Sequence, residues 1–367
     1  MNARPWLLML VAAVVLGCSP SPPIRIGLMA GLSERTSDTG KSGRNGLMLA
    51  VELRNLAGGV GGRQLELVVQ DNGQDADAGR AAINALIAAQ VDAVIGPFTS
   101  AMAAVALPAV EQARLTMISP TANSVDLVGK DDFLIRMNRT TKDNAEDYAK
   151  ILYQRGQRRV SVAYDTRNRS FSASWLGEFK RAFMALGGSV VAGVPFASQA
   201  DTGFGEVVRQ MLAAQPDGLL FIASAIDVAR LAQQAHKMAS QLPESASEWA
   251  SSDLLIELGG PALEGLLISQ LFNRDDSSKR YREFHADYVA RFARQPDSTA
   301  IASYDAARVL MQALERRASG QSLKDAVLQN GPYQGLQQSI QFDRFGDTLR
   351  KLYFAEIHDG QFVLVKE

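Results

Sequence analysis

The sequence predicts an α/β protein of two Rossmann-like lobes, each built on a sheet with a parallel core and joined by more than one chain crossing. Three observations carry that expectation. Short apolar runs of strand length alternate with longer stretches that keep a helical apolar spacing. This rhythm runs through once before about residue 140 and again after it. A largely helical segment follows from about residue 279, and strand-like segments close the chain. Strands separated by helices of ten residues or more imply right-handed βαβ units and therefore parallel pairing.

The elements follow in order. Residues 24–29 read as a buried strand, then a Gly/Ser loop leads to a helix over 42–56. A strand at 64–69 precedes a helix at 75–90, where Ala82, Leu86 and Ala89 recur on one face. A strand at 93–95, a helix at 100–112 and a strand at 116–118 complete the first lobe's core. The second lobe reads as helix 142–155, strand 160–164, helix 172–186, strand 190–194, helix 205–214, strand 219–222 and helix 228–239. Helices at 279–294, 299–317 and 323–329 come next. Segments 338–342, 351–357 and 362–365 have the character of β-hairpins around Asp343-Arg344-Phe345-Gly346-Asp347. In open parallel sheets the loops leaving the carboxyl ends of strands line the ligand crevice. Two such lobes face to face form a cleft able to close on a solute.

The first residues are set apart from the fold. Arg4 followed by the apolar run Trp6 to Leu16 has the form of a signal peptide, too short for a permanent span of about 20 residues. The run ends at Val15-Leu16-Gly17-Cys18, similar to the lipobox of exported lipoproteins. Cleavage after residue 17 would leave Cys18 for lipidation (palmitate), with residues 18–23 as an extended Ser/Pro tether to a membrane. The expected location is the cell envelope, lipid-anchored and facing the periplasm or exterior. Cys18 is the only cysteine of the 367 residues, which excludes an internal disulfide, a Cys-x-x-Cys redox site and a cysteine zinc cluster.

Composition excludes several function classes. Residues 1–17 hold one Arg, so their removal leaves 37 basic against 39 acidic residues, with no basic excess for nucleic acid. Thr39-Gly40-Lys41-Ser42 suggests a phosphate loop, but Arg35 stands where the motif needs its first glycine. His236, His285 and His358 lack metal-ligand spacing, and no Gly-x-Ser-x-Gly elbow is present. No cofactor, no metal and no enzymatic activity are expected.

Several ordered segments carry a family resemblance. Ile24-Arg25-Ile26-Gly27-Leu28 precedes a Ser/Gly loop, and Val60-Gly61-Gly62-Arg63-Gln64-Leu65-Glu66-Leu67 precedes Gln70-Asp71-Asn72. Val94-Ile95-Gly96-Pro97, Met117-Ile118-Ser119-Pro120-Thr121-Ala122-Asn123 and the late Phe342-Asp343-Arg344-Phe345-Gly346-Asp347 follow in sequence. Together they resemble the type I periplasmic binding proteins of the leucine/isoleucine/valine-binding family, from about Ile24 to the end. That resemblance implies an extracytoplasmic receptor of an ABC importer, with an amino acid of the branched-chain type held between lobes that close about a multi-strand hinge. It implies a first lobe of residues 24–139 plus 272–334, a second of 140–271 plus 335–367, and an ABC permease as partner.

The resemblance also assigns a pocket. Ser100 falls where the family binds the ligand carboxylate, at a helix start whose free N–H groups favour an anion. Thr121 and Asn123 match head-group positions, the latter commonly Thr in the family. Asp253 aligns with the acidic residue that pairs with the ligand ammonium, and Phe171 and Thr39 fall near family tyrosine positions. Ser100 and Asp253 are equally ordinary helix N-cap residues, and Thr121 and Asn123 could serve only to shape a turn. The other reading of the same fold is a ligand-sensing or envelope-interaction module without transport.

Overall fold

The computed structural model describes residues 21–33, 38–239 and 241–365. The expected signal peptide, Cys18 and the start of the tether lie outside them.

The first lobe begins with β1 (Ile24–Ala30), α1 (Asp38–Leu56), β2 (Leu65–Asp71) and α2 (Ala76–Ala88). It continues with β3 (Ala93–Ile95), α3 (Ser100–Ala113), β4 (Met117–Ser119) and β5 (Leu134–Arg136). The five strands form one parallel sheet in the order β2-β1-β3-β4-β5. The second lobe follows with α4 (Thr141–Gln154), β6 (Arg159–Asp165), α5 (Arg169–Ala185), β7 (Ser189–Phe196) and α6 (Phe204–Ala213). Then come β8 (Gly218–Ile222), α7 (Ala225–Ala239), β9 (Glu244–Ala246), α8 (Asp253–Gly259) and β10 (Leu267–Gln270). Its parallel strands repeat the first lobe's order as β7-β6-β8-β9-β10.

The chain then returns. Helices α9 (Lys279–Phe292), α10 (Ser298–Arg316) and α11 (Leu323–Gln329) bury Tyr281, Phe284, Ile301 and Leu310 in one core with Ile26, Leu28 and Leu47. The small antiparallel pair β11 (Tyr333–Gln334) and β12 (Ser339–Ile340) adds Tyr333, Leu336 and Ile340 to that core. Finally β13 (Tyr353–His358) and β14 (Gln361–Leu364) pair antiparallel onto the edge at β10. The chain thus crosses between lobes three times. Arg136 pairs with Asp347 and donates to the Phe345 carbonyl at 2.6 Å, while Arg350 meets Asp305 at 2.8 Å, so buried ion pairs pin the last crossing to the first lobe.

The expected elements are present in order, with β5, β9, α8 and β10 in addition and one turn displaced. The final hairpin turns at Asp359-Gly360 rather than at 343–347, because both residues have positive φ (49° and 70°), as a tight two-residue hairpin turn requires. Residues 343–347 instead form a loop whose Gly346 carbonyl accepts from the Arg136 N–H at 2.8 Å.

Each sheet changes winding direction between its first and third strands, β1/β3 and β6/β8. The loops leaving those ends are where a doubly wound sheet leaves a crevice. Gly96, at the end of β3, has φ 101°, and a Cβ there would lie 2.2 Å from the Met29 carbonyl oxygen. Only glycine lets β1 and the loop into α3 approach so closely.

Candidate functional site

Five of the six expected ligand-binding residues converge. Thr39, Ser100, Thr121, Asn123 and Phe171 line one small cavity between the lobes, together with Phe98, Asn138, Asn168, Glu248, Trp249 and Leu271. Its volume of about 40 Å³ holds roughly three water-sized groups. First-lobe walls come from the loops after β3, β4 and β5. Second-lobe walls come from the start of α5 and the loops after β9 and β10.

The first-lobe side offers hydrogen-bond donors at a helix start. Thr99 caps α3 by accepting from the Met102 N–H, which leaves Ser100 at the helix start with an N–H that has no preceding turn to bond. The Ser100 hydroxyl oxygen accepts from the Asn123 and Ser124 N–H groups, both at 3.2 Å, so its own proton remains to donate. Thr121 is committed differently: its hydroxyl donates to the Phe98 carbonyl at 2.5 Å and fixes the loop.

The second-lobe side carries the opposite chemistry. Glu248 is buried, and its Oε1 accepts from Asn144 Nδ2 at 2.7 Å and Asn123 Nδ2 at 3.2 Å. Its Oε2 accepts from Trp175 Nε1 at 3.1 Å. All three donors are neutral, and no ion pair among the described residues includes Glu248. Burial chiefly, with the nearby negative charge of Glu248 adding, pushes the Tyr148 hydroxyl far up. The Oδ1 atoms of Asn123 and Asn138, both buried and lining the cavity, also lack donors. A carboxylate and two amide oxygens therefore face the cavity with capacity to accept.

Asp253 is not brought to this cavity. It begins α8 one residue after Ser252, and its Oδ1 meets Arg274 Nη1 at 2.9 Å. It lines a larger neighbouring chamber of about 270 Å³ with Asp38, Lys41, Ser42, Glu257 and Asp297. The carboxylate that lines the small cavity is that of Glu248, five residues earlier. A signal for it existed: Glu248 follows a three-residue strand, where strand-end loops line the crevice. That strand, Glu244-Ser245-Ala246, has no apolar run by which to read it.

The lobes touch around the cavity. The Ala101 N–H donates to Asn168 Oδ1 at 3.2 Å, and the Ser251 and Ser298 hydroxyls lie 3.2 Å apart. Asn168 stands at the N-cap of α5 yet makes no cap hydrogen bond there, because its side chain spans the cleft instead. Phe171 meets Trp249 edge-on at 5.7 Å and forms an apolar wall with it.

The phosphate-loop look of residues 39–42 has a packing explanation. Ser42 donates to Asp297 Oδ1 at 2.5 Å, and Gly43 abuts the Phe98 ring, where a Cβ would come within 2.2 Å. Among the described residues no group of three or more His, Cys, Asp or Glu is placed to hold a metal ion. No helix among them is long and apolar enough to cross a membrane.

Comparison with known proteins agrees with this architecture. The Leu/Ile/Val-binding protein BraC3 of Rhizobium johnstonii is 23% identical over 315 residues, covering 85% of this chain and 84% of that protein. The branched-chain amino acid transporter substrate binding protein LivJ of Streptococcus pneumoniae, solved with isoleucine, superposes with a TM-score of 0.85. It is 21% identical and matches 94% of this chain and all of that one. A solute binding protein of an ABC transporter from R. palustris, solved with benzoate, gives 0.83 at 18% identity, covering 94% and 95%. These neighbours share the two-lobed type I fold, and the family model for periplasmic binding proteins matches residues 23–361. The chain therefore belongs to the periplasmic binding proteins, a family of extracytoplasmic solute receptors rather than enzymes.

Proposed function

We propose that this receptor binds an α-amino acid between its lobes and delivers it to an ABC permease. The observation that carries the reading is Glu248, a buried carboxylate with three neutral donors and no cation, facing the Ser100 helix start across the cavity. A ligand carboxylate at Ser100 and a ligand ammonium at Glu248 satisfy both sides at once. A buried carboxylate opposes any ligand that offers only a second negative charge, which weighs against benzoate-like solutes. Phe98, Phe171, Trp249 and Leu271 supply an apolar wall for the side chain, in keeping with the branched-chain ligands named for the relatives.

Binding begins on the first lobe through Ser100, the Thr121 loop and Asn123, and closure brings Glu248, Phe171 and Asn168 onto the ligand. Thr39 borders the side-chain end. Ligand selects the closed arrangement by contacts available only there. We place the lobe divisions at 139/140, at 271/272 and, from the packing of Leu336, Ile340 and Phe342, after 342 rather than 334. We further propose that Cys18 carries the lipid expected from the lipobox-like segment, tethering the receptor near its permease at raised effective concentration.

A thermal-shift screen of amino acids and small carboxylates on ligand-free protein tests the reading, since a ligand of the native state alone raises the melting point. Stabilisation by α-amino acids is expected. Stabilisation by simple carboxylates alone would overturn it. Signalling without transport uses the same pocket, and a neighbouring sensor-kinase gene in place of permease genes would favour it.

A further inference from the structure

The head-group cavity is not the whole of the cleft. A gap of only about 10 Å³ lies between this cavity and the 270 Å³ chamber, sharing Thr39, Trp249 and Thr299 with the first and Asp38, Ser252 and Asp297 with the second. The chamber lies between α1, α9 and the start of α10 in the first lobe and α8 in the second. Its lining holds four carboxylates, Asp38, Asp253, Glu257 and Asp297, against the cations Lys41 and Arg294.

Two of these carboxylates are already paired, Asp253 with Arg274 at 2.9 Å and Asp38 with Arg294 at 3.8 Å. Asp297 and Glu257 enter no ion pair among the described residues. Asp297 is 7% exposed, and both hydrogen bonds it accepts, from Ser42 and the Ala300 N–H, fall on Oδ1. Its Oδ2 is left without a donor. Ser252, 8% exposed and lining both the gap and the chamber, has a buried hydroxyl with no partner. An unmet buried hydroxyl is costly, and that of Ser252, able to donate or accept, stands beside these carboxylates without bonding any of them.

We propose that the gap and chamber are the side-chain half of the ligand site, and that the preferred ligand is an α-amino acid whose long side chain ends in an ammonium or guanidinium group. This rests on the amino-acid reading above and replaces its branched-chain side chain with a longer cationic one. The head group occupies the small cavity between Ser100 and Glu248. The methylene stem passes between Thr39, Trp249 and Thr299, where an aromatic face and two methyl groups suit it. The terminal cation lies beside Asp297 Oδ2 and Glu257, relieving the repulsion that closure imposes between first-lobe Asp38 and Asp297 and second-lobe Asp253. A Leu, Ile or Val side chain reaches none of these groups.

Calorimetry on ligand-free mature protein, comparing arginine with citrulline and lysine with norleucine, isolates the terminal charge. Each cationic ligand is expected to bind at least about tenfold more tightly than its neutral counterpart. That preference should shrink to within about threefold in Asp297→Asn, and also in Glu257→Gln, whose exposed rim position leaves folding undisturbed. Equal affinity within either pair would overturn the proposal, as would a preference that survives both substitutions. A rise in melting point with sodium or magnesium chloride alone, cancelled by the same substitutions, would assign the chamber to a free ion and overturn it too. If norleucine and leucine bind well while arginine and lysine do not, the chamber fails and the amino-acid receptor stands. If no α-amino acid binds, both fall.

Discussion

Replacing Glu248 by Gln tests the site's chemistry at its most sensitive point. The substitution keeps the shape and removes the charge. One oxygen remains to accept from Asn144 and Asn123, while the new amide group must face the Trp175 N–H, so one neutral hydrogen bond worth about 1 kcal/mol is lost. Removing an uncompensated buried charge offsets that loss, so the ligand-free protein should change in stability by less than about 1 kcal/mol. With ligand bound the balance differs. An ammonium desolvated by closure then has no counter-charge, and breaking such a buried pair costs about 3–5 kcal/mol. At 1.4 kcal/mol per decade, affinity for an amino acid should fall by roughly 140- to 4000-fold. Titration calorimetry with a matched urea melt separates the two effects. An affinity loss under about fivefold, in a variant that melts normally, would refute the assignment of the ammonium to Glu248.

Three other outcomes follow from the same geometry. Ser100→Ala removes both the hydroxyl donor for the ligand and the acceptor for the Asn123 and Ser124 N–H groups, so affinity should fall by about tenfold or more in the same titration. Gly46→Ala would place a Cβ 2.1 Å from the Ala300 carbonyl oxygen, forcing α1 from α10; a urea midpoint should record a loss of about 1–3 kcal/mol. Burial pushes the Glu244 carboxyl from 4.5 up to about 8, and its Oε2 has no partner. The native state therefore keeps a proton that the unfolded chain has released, and stability falls as pH rises between those values. Glu244→Gln should remove that slope, gaining at most about 5 kcal/mol above pH 8 and nothing near pH 4.

Much of the fold was legible because its longer elements keep clean periodicity. The β1, β2 and β6 strands and the α3 and α10 helices stand where their apolar spacing put them. The strands β5, β9 and β10 escaped the reading; β9, Glu244-Ser245-Ala246, has no apolar run to detect, unlike the equally short β3, Ala93-Val94-Ile95. That gap propagated into the site. Ser100, Thr121 and Asn123 follow strands that the sequence revealed, and the fold brings them together. The carboxylate of the second lobe follows β9, which was invisible, and the expectation settled on Asp253 instead. Asp253 instead begins α8, pairs with Arg274 and lines the neighbouring chamber. The hairpin was displaced for a related reason: Asp343-Arg344-Phe345-Gly346-Asp347 and Asp359-Gly360 both look like turns locally. Only the docking of residues 343–347 against Arg136 decides between them.

The central claim is that one pocket recognises the ammonium and the carboxylate of an amino acid together. Calorimetry on ligand-free protein with an α-amino acid and its des-amino analogue, identical in side chain and carboxylate, measures the ammonium's contribution alone. The structure predicts that the amino acid binds at least about a hundredfold more tightly, through Glu248 and the Asn123 and Asn138 amide oxygens. Equal affinity for the two would contradict it.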